Sequence, residues 1–257
     1  MIRLVSLSSG SCGNAIYVES ARTKLLVDAG NSLKYIGKQL ETFGVRLSEI
    51  DAVLLTHEHH DHIKSAGVIS RRFGTKILAN AKTLEALPTR FGQAEVRVFP
   101  DNASFEIGDF EIRSVPHSHD CRSPVGFVLH CQGKKICIAT DLGRMTSTVE
   151  EGLRGAHIIV LESNHDPKML ANGRYPVRLK ARVAGDRGHL SNNAAGKTLA
   201  RLATGEKQKV LLAHLSEENN SPDVAAKTVR SLLMEQNIDS IKLGIAPRLS
   251  PSATVIA

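Results

Sequence analysis

Along the first half of the chain, short β-branched and leucine-rich runs alternate with Gly, Asn and Asp, the pattern of strands separated by turns. The runs predict strands at 2–7, 15–19, 25–28 and 52–56, then at 76–79, 96–99, 104–107 and 110–115. Two segments follow another period: apolar residues recur at helical spacing over 33–43 and 63–73 and predict helices there. Residues 125–131 and 135–140 are strand-like on either side of Gln132, Gly133 and Lys134, a short glycine-containing connection that fits a hairpin. The alternation continues, with strands predicted at 158–161, 210–213 and 240–245 and helices at 192–203 and 223–236. Strands mixed with helices along the whole length predict an α/β class of layered sheets rather than a bundle or an all-β sandwich. With no internal repeat, low-complexity tract or linker-like stretch, one domain over 1–257 is the simplest expectation.

Composition changes this picture little. A hydrophobic content of 42% is ordinary for a globular chain, and no run of about 18 apolar residues marks a membrane span. The first six residues lack the apolar core of a signal peptide and read as the first strand, so a cytoplasmic location is expected. Cys12, Cys121, Cys131 and Cys137 form no CxxC pair, which points to reduced thiols rather than staples or a structural zinc site. The net charge of +7 favours anionic partners such as nucleic acid. An aromatic content of 4% without Trp argues against a platform of stacked bases.

The chemistry concentrates at residues 56–62, where His57, His59, Asp61 and His62 follow an apolar strand and precede a helix. A strand feeding a loop can aim alternate side chains into one pocket, and imidazole with carboxylate suits zinc, manganese or iron. His60 stands at the variable position of this HxHxDH spacing and is not expected to ligate. His130 and His157 lie in or beside strand segments, where structural histidines are expected. The densest basic stretch contains Arg174, Arg178, Lys180, Arg182 and Arg187. It reads either as a track for a phosphate backbone or as a solvated helix face.

The HxHxDH segment resembles the signature of the metallo-β-lactamase superfamily, and segments around Asp28, His119, Asp141 and His214 occur in that superfamily's order. The resemblance implies an αββα four-layer sandwich with the site at one edge and two divalent metal ions, zinc or manganese/iron. By it, His57, His59 and His119 hold one ion, Asp61, His62 and His214 the other, Asp141 stands between them, and Asp28 supports ligands from behind. His117 competes with His119 as the third ligand, and the distance to Gly126 in similar ribonuclease sequences favours His119. Residues 8–14, 162–166, 188–192 and 214–220 together look like the YycJ/WalJ-like branch, regarded as exonuclease-like on DNA. The loop at 8–14 departs from that branch by carrying Cys12 where Ser is common. At 257 residues the chain is too short for the β-CASP insertion of ribonuclease J and the cleavage-factor nucleases.

The resemblance also implies a reaction. Two ions can make a bridging hydroxide available near neutral pH and polarise a phosphoryl oxygen, giving a phosphodiesterase whose nucleophile Asp61 would orient. In the similar ribonuclease Z pattern a His paired with a Glu acts as general acid, and the matching residues are His189 and Glu162. His165 is either a substrate contact or an exposed loop histidine, and Arg178, Lys180 and Arg182 are candidate phosphate contacts. The implied partner is nucleic acid, DNA before RNA. A thioesterase or lactone hydrolase of the same fold is the alternative. Glyoxalase-type members, however, carry a Thr-Pro-Gly-His-Thr-like segment where this chain has Ser118, His119, Asp120 and Cys121. The β-lactamase class with a matching site has Cys where Asp141 stands. A catalytically silent nucleic-acid binding module is disfavoured by the complete ligand set.

Overall fold

The structure is a computed structural model that describes residues 1–100 and 103–257, with Arg90 described by its backbone alone. The strand-forming runs pair into two seven-stranded sheets. The first contains β1 (Arg3–Ser8), β2 (Ala15–Glu19), β3 (Lys24–Val27), β4 (Ala52–Leu54), β5 (Lys76–Ala79), β6 (Val96–Val98) and β14 (Val255–Ile256), in the order β14-β1-β2-β3-β4-β5-β6. The second contains β7 (Ser104–Ile107), β8 (Phe110–Pro116), β9 (Val125–Cys131), β10 (Lys134–Ala139), β11 (Ile158–Glu162), β12 (Gln208–Ala213) and β13 (Ile241–Ile245), in the order β13-β12-β11-β10-β9-β8-β7. Strands joined by short turns pair antiparallel, whereas β3 to β6 and β10 to β13 pair parallel. Parallel pairing needs long crossovers and leaves all those strands ending at one edge, where ligand sites of α/β sheets lie.

Burial follows the strand alternation. Leu4, Val18 and Leu25 of the first sheet join Ile112, Phe127 and Leu129 of the second in one buried apolar core. The outer face of the first sheet is covered by α1 (Leu33–Glu41) and α3 (Ala66–Phe73) through Ile36, Leu40 and Ile69. The outer face of the second is covered by α5 (Ser147–Leu153), α8 (Asn192–Leu202) and α9 (Pro222–Glu235) through Val149, Leu199 and Val229. Helix, sheet, sheet and helix therefore stack in the αββα order, and no β-CASP domain interrupts the described residues.

The structure departs from the hydrophobic pattern at several places. The helix expected over 63–73 is split into α2 (His60–Ile63) and α3. Between them Ser65 turns aside, its N–H donating to the Ala29 carbonyl at 2.8 Å and its hydroxyl to the Asn31 carbonyl at 2.6 Å. Three short helices were not expected, α4 (Ala81–Ala86), α5 and α6 (Pro167–Asn172), and the basic stretch forms a fourth, α7 (Val177–Ala184). The start of α6 is fixed by the Asp166 carboxylate, which accepts the N–H groups of Lys168 and Met169, with Pro167 at the first turn. The two-residue β14 exists because it pairs with β1, Arg3 opposite Ile256, an arrangement without local cause.

Glycine is required where the loop at 8–14 meets the end of β3. Asn14 N–H donates to the Asp61 carbonyl and Gly30 N–H to the Asn14 carbonyl, each at 2.8 Å. A Cβ on Gly30 would lie 1.5 Å from the Asp61 carbonyl oxygen. Gly30→Ala is therefore expected to destabilise the protein by at least about 2 kcal/mol, as overpacking at a rigid backbone contact does. Urea titration measures the loss, and a midpoint equal to the parent's would show that this loop yields freely.

Candidate metal centre and histidine–glutamate pair

Asp28, Asp141 and His214 lie within two residues of the ends of β3, β10 and β12 and adopt φ of 61°, 60° and 54°. Non-glycine residues seldom enter this left-handed region, at a cost of order 1–3 kcal/mol each, and such strain clusters at functional sites. Hydrogen bonds hold the three in place. The Asp28 carboxylate accepts the N–H and hydroxyl of Thr56 at 2.9 and 2.8 Å. His214 N–H donates to the Ser9 hydroxyl at 2.7 Å, and the His214 carbonyl accepts from the Asn164 amide at 2.8 Å. Thr140 and Leu142, flanking Asp141, are buried, and Leu142 N–H donates to Glu162 Oε2 at 2.8 Å.

Around these ends the structure gathers the expected side chains. His57, His59 and His119 each present an atom within 4.8 Å of the others, as do Asp61, His62 and His214. Asp141 lies between the groups: its Oδ2 is 3.4 Å from His62 Nε2, and its Oδ1 is 3.4 Å from His214 Nε2 and 3.9 Å from His119 Nε2. Three imidazoles are oriented from behind by bonds to Nδ1, which leaves Nε2 facing the cluster. His62 meets Asp28 at 2.7 Å, His214 meets Glu162 at 2.8 Å and His119 meets the Gly188 carbonyl at 3.1 Å. Paired backing of this kind is how metal-binding histidines are held. Asp141 Oδ2 and His214 Nε2 are buried and lack a hydrogen-bond partner among the described residues. Buried polar atoms are rarely left so, and an imidazole–carboxylate set with unpaired inward atoms fits a divalent ion.

The charges agree with that fit. Burial alone would raise the Asp141 carboxyl, but His214, His62, His57 and His189 outweigh it and hold the group well below the usual range. Burial lowers His62, yet Asp141 and Asp28 overcome it and lift the imidazole to about 10. In the same way Asp141 and Glu162 lift His214 to about 9 against its burial. Metal capture at pH 7.5 must therefore displace protons from these rings. Affinity is expected to rise with pH through the range 6–9, by about tenfold per unit for each proton released. Calorimetry in buffers of different ionisation enthalpy counts those protons. A count of zero would mean that the imidazoles are already neutral.

Glu162, at the end of β11, is buried and holds more than one partner. Its Oε1 lies 2.8 Å from both His189 Nδ1 and His214 Nδ1, and its Oε2 accepts the N–H groups of Leu142 and Leu190 at 2.8 and 3.2 Å. Burial opposes its charge, but His189 and His214 prevail and bring it down to about 2. His189 lines a cavity of about 250 Å³ with Tyr175, Leu179, Arg182 and Arg248. His165 is buried rather than an exposed loop residue, and its backbone bridges to Ser191.

The basic stretch divides on α7. Arg182 borders the cavity, but its Nε already donates to Asp120 Oδ2 at 2.5 Å. Lys180 reaches back to the Ala171 carbonyl at 2.7 Å, and Arg178 is exposed. His117 does not join the cluster, and His60 and His130 are exposed, the latter on β9 rather than in a structural role. His157 Nδ1 accepts the Lys135 N–H at 3.1 Å, a structural contact. Sequence reasoning missed Ser9 and Asn14, the latter's amide lying 3.1 Å from His62 Nε2. It also missed a buried network in which Asn220 bonds Asn192 and the carbonyls of Ser163 and Asn164 behind Glu162. Their motifs were visible, but their partners lie tens of residues away.

Two facing sheets with this cluster at their common edge define a hydrolase of the metallo-β-lactamase fold. Residues 23–215 match the family model described as beta-lactamase superfamily domain, and the chain belongs to that superfamily. Among its relatives is the protein named exodeoxyribonuclease YycJ of Bacillus anthracis, 36% identical, the match covering 90% of this chain and 88% of that one. Exodeoxyribonuclease WalJ of Streptococcus pneumoniae is 34% identical over the same shares of the two chains. In fold, the chain is similar to the metallo-β-lactamase fold protein YhfI of Bacillus subtilis, with a TM-score of 0.72 at 17% identity, covering 97% of this chain and 98% of that one. Among the described residues no helix is long and apolar enough to cross a membrane.

Proposed function

We propose that the protein is a dinuclear-metal-dependent phosphodiesterase that degrades DNA as an exonuclease. The observation that carries this reading is His189, tied to Glu162 at 2.8 Å and 3.9 Å from Asp141 Oδ1. Cleaving a phosphodiester demands a proton for a poor alkoxide leaving group. His57, His59 and His119 would hold one ion, and Asp61, His62 and His214 the second, with Asp141 shared between them. Bound there, divalent ions supply a water activated at neutral pH and neutralise charge on a phosphoryl group. Asp61 orients the attacking group, and Glu162 fixes the His189 tautomer so that Nε2 carries the proton to the leaving oxygen. The relatives' names, exodeoxyribonuclease, favour DNA, and the net charge of +7 suits a nucleic acid of either kind.

Leu179 and Arg182 of α7, with Tyr175 just before it, reach the cavity that His189 lines. On this reading exposed Arg178 and neighbouring Lys180 would meet the strand outside it, whereas His165 is buried and does not line that cavity. The test is incubation of purified protein with end-labelled DNA, RNA and a thioester, with and without chelator. Chelator-sensitive shortening of DNA from one end is the expected result. Turnover of the thioester alone would replace this reading with the thioesterase one.

A further inference from the structure

Beside His119, and distinct from the cavity that His189 lines, the structure holds a second pocket of about 410 Å³. The turn after β8, the entry to α5 and the residues after Asp186 border this open hollow, with Arg122, Arg144 and Arg187 at its sides beside Thr146 and Thr148. No Asp or Glu lines it among the described residues. Three guanidinium groups bordering one hollow make it positive, and a single anion there would meet all three.

Among the described residues, none of the three guanidinium groups has a carboxylate closer than 3.9 Å. Arg122 is set by its own backbone N–H, which donates to Glu58 Oε1 at 2.7 Å. Arg187 Nε donates to the His119 carbonyl at 3.3 Å. Arg144 Nε stands 3.9 Å from Asp186 Oδ2, a carboxylate 84% exposed and therefore a weak partner. Their donors thus remain available. Guanidinium groups match phosphate oxygens with paired hydrogen bonds, which an isolated lysine does not. His119 belongs to this pocket and to the metal-binding cluster alike, so an anion held here sits next to the reacting centre.

We propose, on the nuclease reading above, that this arginine pocket binds a second, non-scissile phosphate of the substrate strand. The phosphate comes from one of two sources: a terminal phosphomonoester or an internal backbone diester. Binding it fixes the strand relative to the metal centre, which gives the enzyme its register on the chain. Basic residues that converge here from three separate segments form the phosphate site that α7, with Arg182 already paired, does not complete.

The test uses the full chain carrying Arg122→Gln and Arg144→Gln together, with Arg187 left in place because it holds the His119 carbonyl. An unchanged melting temperature establishes that the variant is folded. On DNA the KM is expected to rise about tenfold with kcat within about twofold, and the salt dependence of kcat/KM to flatten by about one to two in log–log slope. On bis(p-nitrophenyl) phosphate, which has a single diester and no second phosphate, the change should stay within about twofold. Duplexes ending in 5′-phosphate, 3′-phosphate or hydroxyl separate the sources. A terminal monoester is the ligand if the parent prefers one phosphorylated end and the variant loses that preference, and an internal diester if all ends suffer equally. Anisotropy of a fluorescent oligonucleotide in chelator gives a readout independent of turnover, with about tenfold weaker binding expected. Equal oligonucleotide binding by parent and variant, or equal losses on both substrates, overturns the pocket's role. A parent that binds DNA but never cleaves it overturns the nuclease reading instead, while the anisotropy still judges the pocket.

Discussion

Asp141→Asn is expected to lower metal content by about one ion per chain and turnover by at least about a hundredfold, the upper end of what even indirect partners of metal-binding residues cost. Asp141 is the group the two histidine clusters share, with contacts of 3.4 Å to His62 and His214. An amide keeps its shape but removes its charge and turns a donor toward the ions. The substitution is a clean one, because Asn tolerates the left-handed backbone that Asp141 adopts at φ 60°. Elemental analysis with rates on DNA measures both effects, and full occupancy with an unchanged rate would remove Asp141 from the centre. A matched pair of controls lies nearby. His119→Ala should empty part of the site, whereas His117→Ala should leave metal content intact, since only His119 lies within reach of His57 and His59.

His189→Ala should keep the parent's metal content while the rate on DNA falls by about 10²–10⁴, the usual contribution of a positioned general acid. Loss on bis(p-nitrophenyl) phosphate should be much smaller, because p-nitrophenolate leaves without a proton. Equal losses on the two substrates would make His189 a positioning residue, and loss of metal would make it a ligand. Glu162→Gln is expected to behave differently from a pure partner of His189. Glu162 Oε1 lies 2.8 Å from His214 Nδ1 as well, so the variant should bind metal more weakly, by about 10–100-fold, on top of the slower proton transfer. Separating the substitutions thus separates the two duties of one carboxylate.

The parts of the site that the sequence displayed were those whose chemistry is local. His57, His59, Asp61 and His62 stand within six residues after a short apolar strand, and alternation alone places them at a strand end. The long strands and amphipathic helices were readable for the same reason: each buries a periodic face. Short elements were not, because α6 is held by one capping carboxylate and β14 by a partner at the opposite end of the chain. The second bond of Glu162 was equally hidden, since β11 and β12 become neighbours only through parallel pairing in the folded sheet. The tie between Arg182 and Asp120 spans 62 positions and converts an apparent free cation into half of an ion pair.

The left-handed turns at Asp28, Asp141 and His214 bear on how this enzyme responds to engineering. Only Gly would relieve the backbone at these positions, by about 1 kcal/mol or more per site, and at Asp28 and His214 it would also remove the buried bonds to His62 and Glu162. A library screened for heat resistance alone should therefore gain little at Asp28 and His214, where that loss outweighs the relief, and anything it did gain at Asp141 would come at the expense of turnover. Screening for melting temperature and turnover together would instead direct stabilising changes to the helical outer layers, where packing can improve without moving a ligand.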